Sequence, residues 1–254
     1  MELYNQKKKS FIKTTNELPR FSMLANYAPE DIKKHDEEIA RLELEQQMAV
    51  RDSAFKGCGV NEDALQCSFK NYHTPLEDQK KALSSVWDFT KAISKGEFRI
   101  LVLIGCPGSG KTHLATACLN VVMHSVKKVW DSHCKEFFSG RYVLSRNIAS
   151  QLMETYSYSS KTTYDGVINS FCLDDFLVID EIGRDPLSQQ GESSGLFAII
   201  DKRKSKRKPL AMVSNYSWKE FQSLLGSAAM SRILQSAIVV DMSSIPDYRM
   251  EHKL

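Results

Sequence analysis

The stretch FRILVLIGCPGSGKT, Phe98–Thr112, decides the fold of this chain. Its first half is a continuous apolar run, which predicts a buried strand over Arg99–Gly105. Its second half, Gly105–Thr112, reads GxxxxGK followed by threonine, a pattern that binds phosphate when it lies between a strand and a helix. The glycines let the backbone turn with positive φ and bring its N–H groups against phosphate oxygens. The start of the following helix adds partial positive charge there.

The residues of this loop have separate expected roles. Lys111 is expected to reach the β and γ phosphates of a nucleotide, and the Thr112 hydroxyl is expected to hold magnesium. The other residues expected to bind the nucleotide surround these two: Gly105, Pro107, Gly108, Ser109, Gly110 and His113. The sequence therefore predicts ATP and Mg²⁺ as the ligands of this site.

A second motif, FLVIDEIG at Phe176–Gly183, places two carboxylates at the end of an apolar run. Because burying an ionised carboxylate is costly unless a cation neutralises it, Asp180 is expected to orient the magnesium ion. Glu181 is expected to accept a proton from the water that attacks the γ phosphate. A kinase is an alternative, but the adjacent glutamate favours hydrolysis of the nucleotide itself. Asn215, just past another apolar strand, is expected to position the same water, although asparagine is also an ordinary turn residue there.

Apolar strands alternate with helices along most of the chain, which predicts an α/β domain with a parallel sheet covered on both faces. The stretch Trp130–Gly140 interrupts this alternation and is interpreted as a local insertion. The further strands are expected near Tyr142–Leu144 and at Phe176–Asp180, Leu210–Ser214 and Ala237–Asp241. The helices are expected over Leu76–Ser94, from Lys111, up to Tyr156, and near Gly195–Lys204 and Lys219–Leu225.

The N-terminal part of the chain holds one clear periodic segment, Pro29–Phe55, which predicts a long charged helix with a narrow apolar stripe. The stripe either packs on the rest of the chain or docks another protein. Residues 1–57 are expected to form a small helical domain, residues 58–75 a linker, and residues 76–254 the α/β domain. The expected members of the stripe are Ile32, Ile39, Leu42, Ala49 and Phe55.

Composition sets the class of protein. The chain has 254 residues, of which 42% are hydrophobic and 26% charged, as in soluble globular proteins. No apolar run approaches the ~20 residues of a membrane helix, so a cytoplasmic location without membrane contact is expected. The net charge of +3 does not by itself indicate nucleic acid. The basic run KRKSKRK at Lys202–Lys208 allows two interpretations, a phosphate-binding surface or a solvated helix end.

Taken together, GCPGSGKTHLA, FLVIDEIG, MVSNYS and MSRIL, with the upstream CSFKNY and QKKALSSVWDF, resemble the DnaC-type loaders of the replicative DNA helicase, a branch of the AAA+ ATPases. The resemblance spans Cys58–Arg249, and CSFKNY followed by QKKAL is what indicates the loader branch. It implies a three-layer αβα AAA+ domain after a small helical N-terminal domain. Because few residues follow Arg249, no C-terminal lid domain is expected.

The resemblance also implies roles for residues outside the two motifs. Asn215 would be the sensor asparagine, Arg232 an arginine finger that reaches the ATP of a neighbouring subunit, and Arg249 a second sensor. Loaders of this kind often carry another arginine four positions before Arg232, where this chain has Ala228. Either Arg232 alone does the work of the finger, or hydrolysis in trans is weak.

The implied partners follow from the same family. They are a hexameric replicative helicase of the DnaB type, bound through the N-terminal domain, single-stranded DNA, and further copies of the chain in a spiral on the helicase. The predicted function is an ATP-dependent helicase loader whose hydrolysis depends on assembly. One alternative is an IstB-type helper ATPase of transposition, which would bind a transposase and duplex DNA. The other is a nucleotide-switched adaptor that hardly turns ATP over.

Overall fold

The computed structural model describes residues 29–125, 137–183 and 195–248. Arg249 and residues 130–136 of the expected insertion lie outside these described residues. The chain divides into two compact units, of which the first ends at Val50 and the second begins at Arg51. Within the described ranges, no helix is long and apolar enough to cross a membrane.

The first unit contains most of helix α1 (Pro29–Lys56), which forms where the periodic segment predicted a helix. The guanidinium of Arg41 lies 3.7 Å from the carboxylate of Glu38, three residues before it, and 3.8 Å from that of Glu45, four residues after it. Ion pairs at these spacings support a helix. Phe55 of the expected stripe is buried, whereas four other large apolar side chains of α1 are exposed, among them Leu42 of the stripe. The others are Leu44, Met48 and Val50.

The second unit is built on a five-stranded parallel sheet with the strand order β2-β3-β4-β1-β5. All five predicted strands are confirmed. β2 starts at Gly140 rather than near Tyr142, and β3 ends at Ile182 rather than at Asp180. The strands are β1 (Ile100–Ile104), β2 (Gly140–Leu144), β3 (Phe176–Ile182), β4 (Leu210–Ser214) and β5 (Ala237–Asp241).

Helices cover both faces of this sheet, which gives the three layers expected from the sequence. One face carries α2 (Glu77–Ser94) and α3 (Lys111–Met123). The side chains of β1 alternate between the two cores, as the period of a strand requires: Leu101 and Leu103 face α2 and α3. The other face carries α4 (Ser145–Glu154), α5 (Tyr164–Ser170), α6 (Gly195–Ser205) and α7 (Trp218–Leu234).

Two helices differ from the sequence-based expectation. Helix α5 was not predicted; Thr163 caps it, since its hydroxyl oxygen accepts a hydrogen bond from the Gly166 N–H at 3.1 Å. Helix α7 was predicted to end at Leu225, and that end is wrong. The backbone breaks at Gly226, with φ 76° and ψ 169°, and then resumes a helical course as far as Leu234.

The segment 58–75, expected as a linker, packs against the α/β unit. Cys58 and Val60 are buried in the core that α2 and α3 share. The Cys58 carbonyl accepts a hydrogen bond from the backbone N–H of Tyr142 in β2 at 2.8 Å. Further along, the Ser68 carbonyl lies 2.9 Å from Nε2 of His113 in α3. The segment therefore connects the edge of the sheet with the start of α3.

The basic run at Lys202–Lys208 is in large part structural. The Arg203 side chain is completely buried, and burial lowers the pKa of its guanidinium to about 10. Its two terminal nitrogens donate to four backbone carbonyls, of Phe171, Asp174, Asp175 and Pro209, at 2.6–3.1 Å. Lys208 also donates to a carbonyl, that of Leu173. Neither expected role of the run, a phosphate-binding surface or a solvated helix end, applies to Arg203.

Candidate functional site

The carboxyl ends of β1, β3 and β4 meet at a cavity of about 580 Å³, as expected for a parallel α/β sheet. It is lined by Pro107, Gly108, Ser109, Gly110, Lys111, Thr112 and His113 of the loop and the start of α3, and by Asp180, Glu181 and Asn215 from the other strand ends. Gly105, at the start of the loop, is not among the lining residues, but its carbonyl oxygen accepts a hydrogen bond from Lys111 at 2.9 Å. The structure therefore brings the predicted phosphate and carboxylate motifs together.

The loop needs glycine at three positions for both conformation and space. At Gly105, with φ 129°, a Cβ atom would lie 2.5 Å from the backbone of Met242. Gly108 and Gly110 have φ of 77° and 92°, in the left-handed region that favours glycine. A Cβ atom on Gly110 would lie 2.6 Å from the ring of Tyr72, and one on Gly108 would lie 1.7 Å from Oδ1 of Asp247. A side chain at either position would therefore force the neighbouring Tyr72 or Asp247 side chain to move.

Lys111 is held at the centre of the loop. Its side chain is 5% exposed, and Nζ donates to the carbonyl oxygens of Gly105 at 2.9 Å and Cys106 at 2.6 Å. The Ser109 hydroxyl oxygen is a third partner at 3.3 Å. A buried ammonium group surrounded by backbone dipoles at a helix start is suited to bind phosphate.

Asp180 is a buried carboxylate, 3% exposed, that accepts three hydrogen bonds. Its Oδ2 atom accepts from the hydroxyls of Thr112 and Tyr142, each at 2.7 Å. Its Oδ1 atom accepts from the Glu181 backbone N–H at 2.6 Å. These donors offset the cost of burying the charge. Burial, and to a smaller extent the charge of Asp180, raises the pKa of Tyr142, so Tyr142 is a donor at neutral pH.

The donor set at this point fits magnesium. Thr112 and Asp180 present hard oxygen ligands that already lie 2.7 Å apart, beside the phosphate loop. Magnesium in such sites takes only one or two protein oxygens, because nucleotide phosphates and water supply the other ligands. The described part of the chain contains no group of three or more His, Cys, Asp or Glu side chains arranged to hold a metal.

Glu181 interrupts the regular strand. Its φ of 58° is uncommon for a residue other than glycine, and the pairing of β3 with β4 shifts register between Ile179 and Ile182. A regular strand would direct Asp180 and Glu181 to opposite faces, whereas here both line the cavity. The Glu181 carboxylate pairs with Nη1 of Arg146 at 2.9 Å. Because both side chains are part-exposed, this pair contributes at most about 1 kcal/mol and can open.

Asn215 reaches the same cavity from the neighbouring strand. It directly follows Ser214, the last residue of β4. The Ser214 hydroxyl donates to the Ile182 carbonyl at 2.7 Å, which ties the end of β4 to the residue after Glu181. The structure thus places Asn215 and Glu181 on adjoining strand ends at one cavity, and their predicted roles in hydrolysis stay predictions.

Sequence reasoning missed part of the cavity wall. Asn71, Tyr72, His73 and Tyr248 also line it. The Tyr72 hydroxyl donates to the Ser109 carbonyl at 3.2 Å, and burial raises its pKa to about 12. In the sequence, CSFKNY carries only the family resemblance, and no periodicity or spacing in it indicates that Tyr72 contacts the phosphate loop.

Of the two arginines with predicted roles, Arg232 and Arg249, the structure describes only Arg232. Arg232, on α7, does not line the cavity; its Nε donates to Asp201 at 2.6 Å, and its guanidinium lies 5.1 Å from the Phe197 ring centre. Its Nη1 donates to the Ala228 carbonyl at 3.2 Å. Arg249 lies outside the described residues. The finger and second-sensor roles stay predictions.

Comparison with known proteins identifies similar chains. The family model described as "IstB-like ATP binding protein" matches residues 34–253. The replicative helicase loader DnaC of Escherichia coli strain K12 is 30% identical over 194 residues, 76% of this chain and 74% of that protein. DnaC of Buchnera aphidicola subsp. Schizaphis graminum is 25% identical over 240 residues, 92% of this chain and 90% of that protein.

A solved structure supports the same fold. The crystal structure of the DnaC helicase loader superposes with a TM-score of 0.56 at 20% identity, over 71% of this chain and 99% of that one. At that identity the superposition shows the fold alone. It confirms the predicted α/β fold, which is AAA+-like.

Proposed function

Because the chain belongs to the IstB-like ATP-binding protein family, which its matched residues 34–253 establish, we propose that it is an ATP-dependent loader of a hexameric replicative helicase. The relative at 30% identity bears that function in its name, and the aligned part covers 76% of this chain. We further propose that the chain hydrolyses ATP during loading. The observation that carries this is the convergence of Lys111, Asp180 and Glu181 on one cavity.

In the proposed hydrolysis each side chain acts at a stated atom. Lys111 Nζ would contact the phosphate oxygens, and the backbone N–H groups of the loop would hold them in place. Glu181 would accept a proton from the attacking water, and the Asn215 amide would orient that water. The chemistry that magnesium supplies when bound is positive charge at the β and γ phosphates. Thr112 and Asp180 are the residues that would hold it.

The proposed loading function is tested on a closed circle of single-stranded DNA. A closed helicase ring cannot thread onto such a circle unless something opens it. With ATP and this protein, the replicative helicase of the same host is expected to remain on the circle after gel filtration. If the helicase stays free under these conditions, the loader assignment is wrong.

We propose that the exposed side of α1 binds the helicase. The helix carries Leu44 and Met48 four residues apart, and both side chains are about half exposed, at 54% and 51%. Apolar residues at this spacing on a charged helix form the kind of face that docks into a groove of a partner protein. This surface fits the helicase-binding role expected for the N-terminal domain.

We also propose that single-stranded DNA contacts the connection between α4 and α5. Tyr156 and Tyr158 are fully or nearly fully exposed there, and Lys161 follows. Base stacking on exposed aromatic rings beside a cation is how single strands are bound without sequence preference. Replacing both tyrosines by alanine is expected to weaken single-strand affinity about 30-fold or more, because each stacked base is worth about 1–3 kcal/mol. The measurement is fluorescence anisotropy. Equal affinity of the double variant and the wild type would exclude this surface.

The role proposed for Arg232 gives a prediction for the assembled protein. Arg232→Ala is expected to lower ATP turnover on the helicase about 10-fold, the value of one charge-assisted hydrogen bond. The ATP affinity of the isolated chain should not change, because Arg232 does not line its own cavity. Lys206→Ala, which removes an exposed cation at the end of α6, is the matched control.

Mixing variants tests whether Arg232 acts on a neighbour. Arg232→Ala subunits keep an intact nucleotide site, and Lys111→Ala subunits keep the arginine. If the arginine acts in trans, a mixture of the two should turn over more ATP than either variant alone. Absence of any recovery in mixed assemblies would contradict the finger role.

The description of the matching family model favours a second candidate, an IstB-type helper of transposition. Such a helper would bind duplex DNA and a transposase through the same ATP-binding core. Competition between single-stranded and duplex DNA of equal length distinguishes the two. Preference for the duplex, together with failure to bind the helicase, would favour the helper.

A further inference from the structure

Tyr142 lies behind the candidate metal-binding carboxylate. The residue is in β2, next to β3 in the sheet, and its side chain is 6% exposed. Its hydroxyl donates to Oδ2 of Asp180 at 2.7 Å, the oxygen atom that also accepts the Thr112 hydroxyl. Neither the phosphate loop nor the proposed base requires a tyrosine here, so the hydroxyl is a part of the site that the proposed hydrolysis does not use.

The two hydroxyls that donate to Oδ2 of Asp180 are expected to behave differently when magnesium-nucleotide binds. Thr112 is a proposed metal ligand, and as a ligand of magnesium its oxygen would no longer be committed to Asp180 alone. Among the described residues, Tyr142 would then be the one remaining side-chain donor to Asp180. A buried carboxylate with fewer donors is less well stabilised as an anion and less fixed in orientation.

We propose that Tyr142 is a positioning residue for magnesium binding: its hydroxyl orients Asp180 and keeps the carboxylate ready for the ion that accompanies ATP. This inference rests on the proposed ATP-binding function. Groups that hydrogen-bond to metal ligands typically change metal affinity about 10- to 100-fold when they are removed. Tyr142 meets the geometric requirement for such a group, because its hydroxyl donates to Oδ2 of Asp180 at 2.7 Å.

The backbone of Tyr142 is itself fixed by the segment that follows α1. The Tyr142 N–H donates to the Cys58 carbonyl at 2.8 Å. Gly59, with φ 99°, lies so close that a Cβ on it would be 2.3 Å from the Tyr142 carbonyl oxygen. The position of the hydroxyl at Asp180 therefore depends on the close packing of residues 58–59 on β2.

The test is magnesium-dependent binding of the fluorescent nucleotide mant-ATP to the full-length Tyr142→Phe variant. The magnesium concentration for half-maximal enhancement of binding is expected to rise about 10-fold. The affinity for mant-ATP in EDTA should stay the same, because the phosphate loop is untouched. Tyr164→Phe, which removes a hydroxyl from a part-buried tyrosine in α5, is the matched control and should behave as wild type.

Two outcomes would overturn the inference. One is an unchanged magnesium requirement in Tyr142→Phe. The other is an equal loss of affinity with magnesium and in EDTA, which would make the hydroxyl a general structural contact. Gly59→Ala, which presses on the Tyr142 backbone, provides a second variant and should raise the magnesium requirement in the same direction. A chain that binds magnesium and mant-ATP normally but neither hydrolyses ATP nor loads helicase would contradict the proposed function and leave this inference intact.

Discussion

Glu181→Gln is expected to lower the ATP turnover number of the helicase-bound protein by about 10²–10⁴-fold, the usual contribution of a general base. The amide has the shape of the carboxylate but does not take a proton from water at neutral pH. ATP should still bind, since Lys111 and the loop are unchanged. The variant should therefore retain intact ATP, which is measured as the nucleotide recovered from the complex after a single turnover.

The control for this prediction is Glu154→Gln, which neutralises an exposed glutamate at the end of α4. It should turn over ATP as the wild type does. Equal turnover in Glu181→Gln and the wild type would show that Glu181 is not the general base. If both proteins also had negligible turnover on the helicase, the nucleotide-switched adaptor would be favoured.

Lys111→Ala is expected to reduce ATP affinity at least about 100-fold. The lysine is the buried cation of the phosphate loop, and hydrogen bonds to charged groups are worth about 1.5–3 kcal/mol each. Losing its phosphate contacts therefore corresponds to about 3 kcal/mol or more of binding free energy. The measurement is isothermal titration calorimetry with ATP and magnesium.

A matched variant separates the loss of this one cation from a general change in charge. Lys70→Ala removes an exposed lysine from the segment that precedes Tyr72, and Lys70 does not line the cavity. Its ATP affinity should equal that of the wild type. If Lys111→Ala also binds ATP like the wild type, the loop does not hold phosphate in the proposed way.

The parts of the fold that the sequence predicts well are those with a local signal. The apolar run before Gly105 identifies β1, and the run before Asp180 identifies β3, because buried parallel strands are apolar on both faces. The end of α7 was missed for a local reason as well. Glycine often ends a helix. At Gly226, however, the chain resumes a helical course after one non-helical residue and buries Ala229 and Ile233 in the core.

The candidate site shows the limit of sequence reasoning more clearly. The loop and the two carboxylates are recognisable because their spacing follows from the chemistry of phosphate and magnesium. Tyr142, Arg146 and Tyr72 are not, because each reaches the site only through the fold: Tyr142 from the neighbouring strand, Arg146 from the helix that follows it, and Tyr72 from a segment without periodicity. A tertiary contact between distant residues leaves no pattern in one sequence.

The most direct test of the account is native mass spectrometry of this protein with the hexameric replicative helicase of its host, in the presence of ATP and magnesium. The full-length chain should form a complex of defined stoichiometry. A truncation that lacks residues 1–50 should not, although it should still bind ATP. The cut is placed there because Arg51 begins the second unit and Phe55 is buried in its core.

A full-length variant with Leu44 and Met48 both replaced by glutamate keeps the helix and removes only the apolar face proposed to dock. It should also fail to form the complex. A complex that is absent for the full-length chain, or that survives both the truncation and the double substitution, would contradict the account.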